Sequence, residues 1–166
     1  MRKTMAVLAA VAAMLLTVAA IALADGGTHV KGNAQWFNGV DNVHAKFNGK
    51  IHDNDGSVKG HVSVAARDPD GNDLFVRYQG DITCIDVVGN TVWVSGPIDK
   101  SKGSSASDAD NYFLWAMQDN SKGPKGTPRD MGHTHRGANP TDCTNHTVVP
   151  DQEVTKGDIS IDTDTP

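Results

Sequence analysis

Apolar and polar side chains alternate with a period of two along much of the chain. Val43, Ala45 and Phe47 alternate with His44, Lys46 and Asn48; Val58, Val62 and Val64 with Lys59, His61 and Ser63; Leu74, Val76 and Tyr78 with Phe75 and Arg77. Successive side chains of an extended strand point to opposite faces, so each run predicts a half-buried β-strand. Ile82 to Val88, Thr91 to Ser95 and Tyr112 to Gln118 extend the set, and the last places Phe113, Trp115 and Met117 on one face. Weaker runs at Ala34 to Phe37, Thr147 to Val149 and Asp158 to Ile161 bring the expectation to roughly seven to nine strands.

Between the runs stand Asp53-Asn54-Asp55-Gly56, Asp68-Pro69-Asp70-Gly71-Asn72 and Gly89-Asn90, residues that tolerate or require positive φ and so predict antiparallel hairpins. Beyond residue 24 the chain holds only two leucines (Leu74, Leu114) and one glutamate (Glu153), which removes the usual helix formers. The expected fold is all-β, a single antiparallel β-sandwich or small β-barrel. Two stretches lack the alternation and are expected as long loops: 96–111, rich in Ser, Gly and Asp, and 119–142, which carries Pro124, Pro128 and Pro140.

Met1 to Ala24 starts with Arg2 and Lys3, continues as an uncharged Ala/Leu/Val run and ends in Ala22-Leu23-Ala24, the pattern of a cleaved secretory signal peptide. Cleavage before Asp25 leaves residues 25–166 as a single secreted domain. Losing Arg2 and Lys3 takes the formal charge from −5 to −7, which argues against nucleic-acid partners and against anionic membranes once the leader is gone. The two cysteines, Cys84 and Cys143, are expected to form a disulfide in the oxidising extracellular compartment.

The segment Thr83-Cys84-Ile85-Asp86-Val87-Val88-Gly89-Asn90-Thr91-Val92-Trp93-Val94-Ser95-Gly96, followed by Phe113 to Asn120 and then Thr127-Pro128-Arg129-Asp130, and preceded by the Gly56 to Val64 strand, resembles a group of small secreted bacterial β-rich proteins. That group shares a TCxxVxGN strand pair, a strand ending in Asp-Asn, and a Pro/Asp loop. The likeness covers roughly the middle half of the mature chain and implies export and β architecture. Ser121 stands where the group has glycine, and 132–146 has no counterpart in it. No activity is assigned to the group, so the resemblance carries over no catalytic residue.

The sharpest chemical pattern is Gly132-His133-Thr134-His135, because histidines two apart in an extended strand share a side and can share a metal. His146 is the candidate third ligand, with Asp130 or Asp142 as oxygen donors, and the metal would be Zn or Cu. Copper–zinc superoxide dismutases also carry an HxH strand, but the rest of their ligand pattern is absent. The Gly/Pro-rich surroundings favour solvated histidines. The Asp-rich turns at 53–56 and 68–73 offer oxygens suited to Ca²⁺, without the spacing of an EF-hand loop. No GxSxG, HExxH or P-loop pattern occurs, and the many aspartates single out no catalytic pair. Trp36, Trp93 and Trp115 fall on strand patterns, where packing is favoured over sugar stacking. The expectation is a secreted, non-catalytic extracellular binding or structural domain with an unassigned ligand or protein partner; the alternative is a Zn- or Cu-binding protein using the HxH segment.

Overall fold

A computed structural model describes residues 27–71, 74–103, 109–120 and 129–163. Nine strands run in chain order: β1 (Gly27–Phe37), β2 (Asn42–His52), β3 (Val58–Arg67), β4 (Leu74–Asp81), β5 (Cys84–Val88), β6 (Thr91–Lys102), β7 (Tyr112–Gln118), β8 (Met131–Gly137) and β9 (Gln152–Thr163). Among the described residues the only helical element is a 3₁₀ turn at Cys143–Asn145. All pairings are antiparallel, in the order β4-β3-β2-β1-β9-β8-β7-β6-β5, and β4 pairs again with β6. The fold is therefore one sheet curled back on itself, with β5 outside the circuit. The circuit is uneven: β1 and β2 pair along their whole lengths, whereas β8 meets β9 only at Met131↔Glu153 and Gly132↔Gln152.

Alternation decides which face turns inward. Val43, Ala45 and Phe47 on β2 are buried together with Val62, Val64 and Ala66 on β3, Val76 and Tyr78 on β4, and Phe113, Trp115 and Met117 on β7. Trp115 is the centre of this core, edge-on to Phe47 and Tyr78 at 6.2 Å each and tilted against Phe113 at 5.7 Å. Its indole N–H donates to Tyr78 Oη at 2.7 Å. Trp36 is equally buried, but its indole N–H has no partner among the described residues. Closing the sheet requires glycine at two facing positions: a Cβ on Gly80 would meet Pro97 O at 2.1 Å, and one on Gly96 would meet Asp81 O at 1.9 Å. Any side chain there would force β4 and β6 apart.

The turns follow their sequences. Gly56 at φ 66° and Gly71 at φ 76° donate back to His52 O and Asp68 O, and Gly89 at φ 63° opens the two-residue β5–β6 hairpin. On the outer face, Leu114 and Ala116 form a second, smaller core with Cys143 and Val148, against which Cys84 and Trp93 pack. The disulfide joins Cys84 on β5 to Cys143, 59 residues later, and pins the 138–151 segment across this face.

Three expectations are corrected. The segment expected as a loop from residue 96 continues as β6 through Lys102, because β6 leaves β5 and pairs with β4 there. Similarly, 119–142 contains β8. Thr147 to Val149 forms no strand: His146 takes a left-handed backbone, Val148 turns down onto the outer core, and Val149 is exposed. The leader at 1–24 lies outside the described residues, as do 104–108 and 121–128 of the expected loops. Among the described residues no helix is long and apolar enough to cross a membrane.

Candidate functional site

Strand β8 divides its chemistry between two faces. Gly132, Thr134 and Arg136 stand opposite Met117, Trp115 and Phe113 of β7 and face the interior; His133 and His135 stand opposite Ala116 and Leu114 and face outward. Two cavities result, one on each side of the strand.

The interior cavity, about 250 Å³, lies at the end of the sheet that carries the β1–β2 turn. Since β9 accompanies β8 only at its first two residues, the edge of β8 beyond Gly132 is left without β9 pairing, and the cavity lies between that edge and the turn. Its wall is apolar, with Val43, Val64, Ala66 and Val76, and half-exposed Phe75 stands at its rim. The polar lining comes from Asn38, Asp41, Tyr78, Asp110, Thr134, His135 and Arg136. Arg136 Nη1 pairs with Asp110 Oδ2 at 3.2 Å, and its guanidinium lies 5.8 Å from the Tyr78 ring centroid. Tyr78 Oη accepts from Trp115 and hydrogen-bonds the Thr134 side chain. Burial drives the Tyr78 phenol above its usual range, against smaller opposing contributions from the Trp115 bond and the Arg136 charge.

Asp41 is the unusual group. Only 6% of it is exposed. Its bonds to Asn38 run through its main chain: Asp41 N–H donates to Asn38 Oδ1 at 2.7 Å, and Asp41 O accepts from Asn38 N–H at 3.1 Å. The carboxylate makes no hydrogen bond or ion pair among the described residues, yet it lines the cavity. The residue is buried as a whole, but its carboxylate oxygens open onto the cavity, where water reaches them; an occupant of the cavity would strip that water and face the charge itself.

The outer cavity, about 390 Å³, is lined by His133, His135, Leu114, Thr141, Thr147, Val148, Val149 and Asp151. His133 Nδ1 lies 2.8 Å from Asp151 Oδ1, with Gln152 Nε2 at 3.2 Å. An ionised Asp151 only accepts, so at 2.8 Å Nδ1 donates to it rather than accepting from the more distant Gln152 amide, and in the neutral imidazole Nε2 is then the acceptor. The structure thus brings His133 and His135 to one cavity but leaves His146 elsewhere. His146 stacks on Trp93 at 3.9 Å and directs Nε2 at Asp86 Oδ2, 2.5 Å away.

The proposed oxygen donors are also committed. Asp130 accepts from the N–H groups of Asn120 and Ile159, and Asp142 caps the 3₁₀ turn through Thr144. Among the described residues, the groups of three ligand atoms within 4.8 Å are Cys84/Asp142/Cys143, whose sulfurs are in the disulfide, and the exposed His61/Asp81/Asp99. At the acidic turns, Asp55 Oδ1 accepts from Ser57 N–H at 2.8 Å, which hairpin geometry explains; Asn72 and Asp73 lie outside the described residues. Trp36 and Trp115 are buried and Trp93 lies under His146, so none offers a free stacking platform.

Sequence reasoning missed Asp41, Asp110, Thr134 and Arg136. The available signal was the polar alternation Thr134/Arg136, which is strand-like in period but not in hydrophobicity. Compared with protein-family models, curated proteins and solved structures, the chain matches none.

Proposed function

We propose that the chain is an exported, non-catalytic binding domain that works outside the cell and holds a small ligand in the open end of its curled sheet. The observation carrying this reading is the interior cavity: apolar walls, a few convergent polar groups, and in Asp41 a carboxylate that opens onto the cavity from a largely buried residue and has no partner among the described residues. That combination is the usual make-up of a small-molecule site, and the mouth of a closed sheet is a usual place for one. The leader sequence, the Cys84–Cys143 disulfide and the resemblance to secreted β-rich proteins support export.

Titration with cyclohexylamine, cyclohexanol and cyclohexanecarboxylate, followed by tryptophan fluorescence, tests the reading. Tyr78 links the cavity wall to the Trp115 indole, so an occupant reports through Trp115. At least one probe is expected to bind saturably at one site and to lose binding in Ala66→Trp, which fills the cavity. Absence of saturable binding by all three would overturn the reading.

A second reading, Zn or Cu binding on the outer face, is favoured by one observation. Asp151 Oδ1 lies 2.8 Å from His133 Nδ1, an arrangement that in the neutral imidazole offers Nε2 to a metal, beside His135 on the same face. Two imidazoles with water completing the shell would take one ion weakly. Metal analysis of untagged protein after dialysis against Zn²⁺ or Cu²⁺ should show one equivalent, lost in His133→Ala/His135→Ala and retained in His146→Ala. Equal loss in the His146 variant would restore the three-histidine site.

A further inference from the structure

The geometry points to a small organic cation, an ammonium or guanidinium group on a compact apolar body, as the ligand of the interior cavity, with Asp41 as its anionic partner. This rests on the binding function proposed above. The fixed charges lining the cavity are Asp41, Asp110 and Arg136; His135, on the outward face of β8, also borders it. Arg136 and Asp110 neutralise one another across 3.2 Å, and Arg136 is further engaged over the Tyr78 ring. What remains is Asp41: the residue is 6% exposed, its main chain is held by two bonds to Asn38, and its carboxylate opens onto the cavity without an ion pair or side-chain hydrogen bond among the described residues.

An anionic ligand would meet this uncompensated carboxylate and would have to displace Asp110 to reach Arg136. A neutral ligand would leave the carboxylate buried with at best a neutral donor. A cation forms a charge-assisted hydrogen bond with it and removes the excess negative charge of the site. The apolar remainder of the ligand is set by Val43, Val64, Ala66 and Val76, and its small size by a volume of about 250 Å³, below the usual range for drug-sized ligands.

The three cyclohexyl probes share one body and differ in charge, so their ranking isolates the role of Asp41. Cyclohexylammonium is expected to bind about tenfold more tightly than cyclohexanol, and cyclohexanecarboxylate more weakly than either. Asp41→Asn keeps the main-chain bonds to Asn38 and should bring amine and alcohol to similar affinity. Binding of the alcohol or the acid in preference to the amine, or an amine preference that survives Asp41→Asn, would overturn the cation assignment while leaving the binding function standing. Failure of all three probes would instead overturn the function. If Asp41→Asn does not fold, judged by near-UV circular dichroism, the ranking on the wild-type protein decides the point.

Discussion

The two sides of β8 differ in how they are built. The interior side, with Thr134 and Arg136, is shaped by distant strands brought together when β4 pairs with β6 and the sheet curls closed. The outer side, with His133 and His135, is shaped by the 138–151 segment crossing Leu114 and Ala116 under the hold of the disulfide. One strand of seven residues thus borders two cavities, because a period of two sends neighbouring side chains to opposite faces. On the inner face Arg136 pairs with Asp110 and Thr134 with Tyr78. Polar groups on the outer face are half-exposed, and water can satisfy them. An unpartnered group therefore carries more meaning inside than outside.

The largest expected effect separates the two sides by removing the clamp. Cys84→Ser/Cys143→Ser should lose about 4 kcal/mol in the chain-entropy account of a loop this long, read as a lower urea midpoint. Circular dichroism of Trp93 should change in the folded variant while probe binding in the interior cavity persists; loss of both together would erase the distinction. Tyr78→Phe acts on the interior alone. It leaves the buried Trp115 N–H without its acceptor, for about 1–3 kcal/mol. A change below a few tenths of a kcal/mol would show that water or another group takes over.

His146→Ala should cost less, on the order of 1 kcal/mol, since the Asp86 pair is partly exposed and the Trp93 stack is a single contact. Acrylamide should then quench Trp93 more readily, with Trp115 unchanged. The smallest effect is acid sensitivity. Hydrogen bonds from the Thr144 side chain and N–H hold the Asp142 carboxyl below its ordinary 3.8. A carboxyl lowered in the folded state contributes stability above its unfolded value and loses it as pH falls through the folded one. Below about pH 4 the covering segment should loosen before the interior, and Asp142→Asn should flatten that dependence in a melting-temperature series.

Most strands were legible in the chain because their buried faces are apolar: β7 was read to its end residues from Phe113, Trp115 and Met117 alone. Strand β8 was not, and the reason is the composition of its inner face. Its inward positions are Gly132, Thr134 and Arg136, so a strand lining a polar cavity shows no hydrophobic alternation. The continuation of β6 was hidden in the same way by Gly96 and Pro97, which ordinarily end strands but here allow the close approach of β4. The Asp86–His146 pair, 60 residues apart, left no local signal.

By itself the sequence determined the all-β class, the hairpin turns and the pairing of the only two cysteines, since periodicity, turn chemistry and cysteine count are local or compositional properties. Tertiary structure decided that the sheet closes through β4 and β6, that His146 joins Asp86 rather than the HxH pair, and that Asp41 faces a cavity with Arg136 and Asp110. Those outcomes depend on which distant backbones can approach closely enough to share hydrogen bonds, and no window along a chain contains that information.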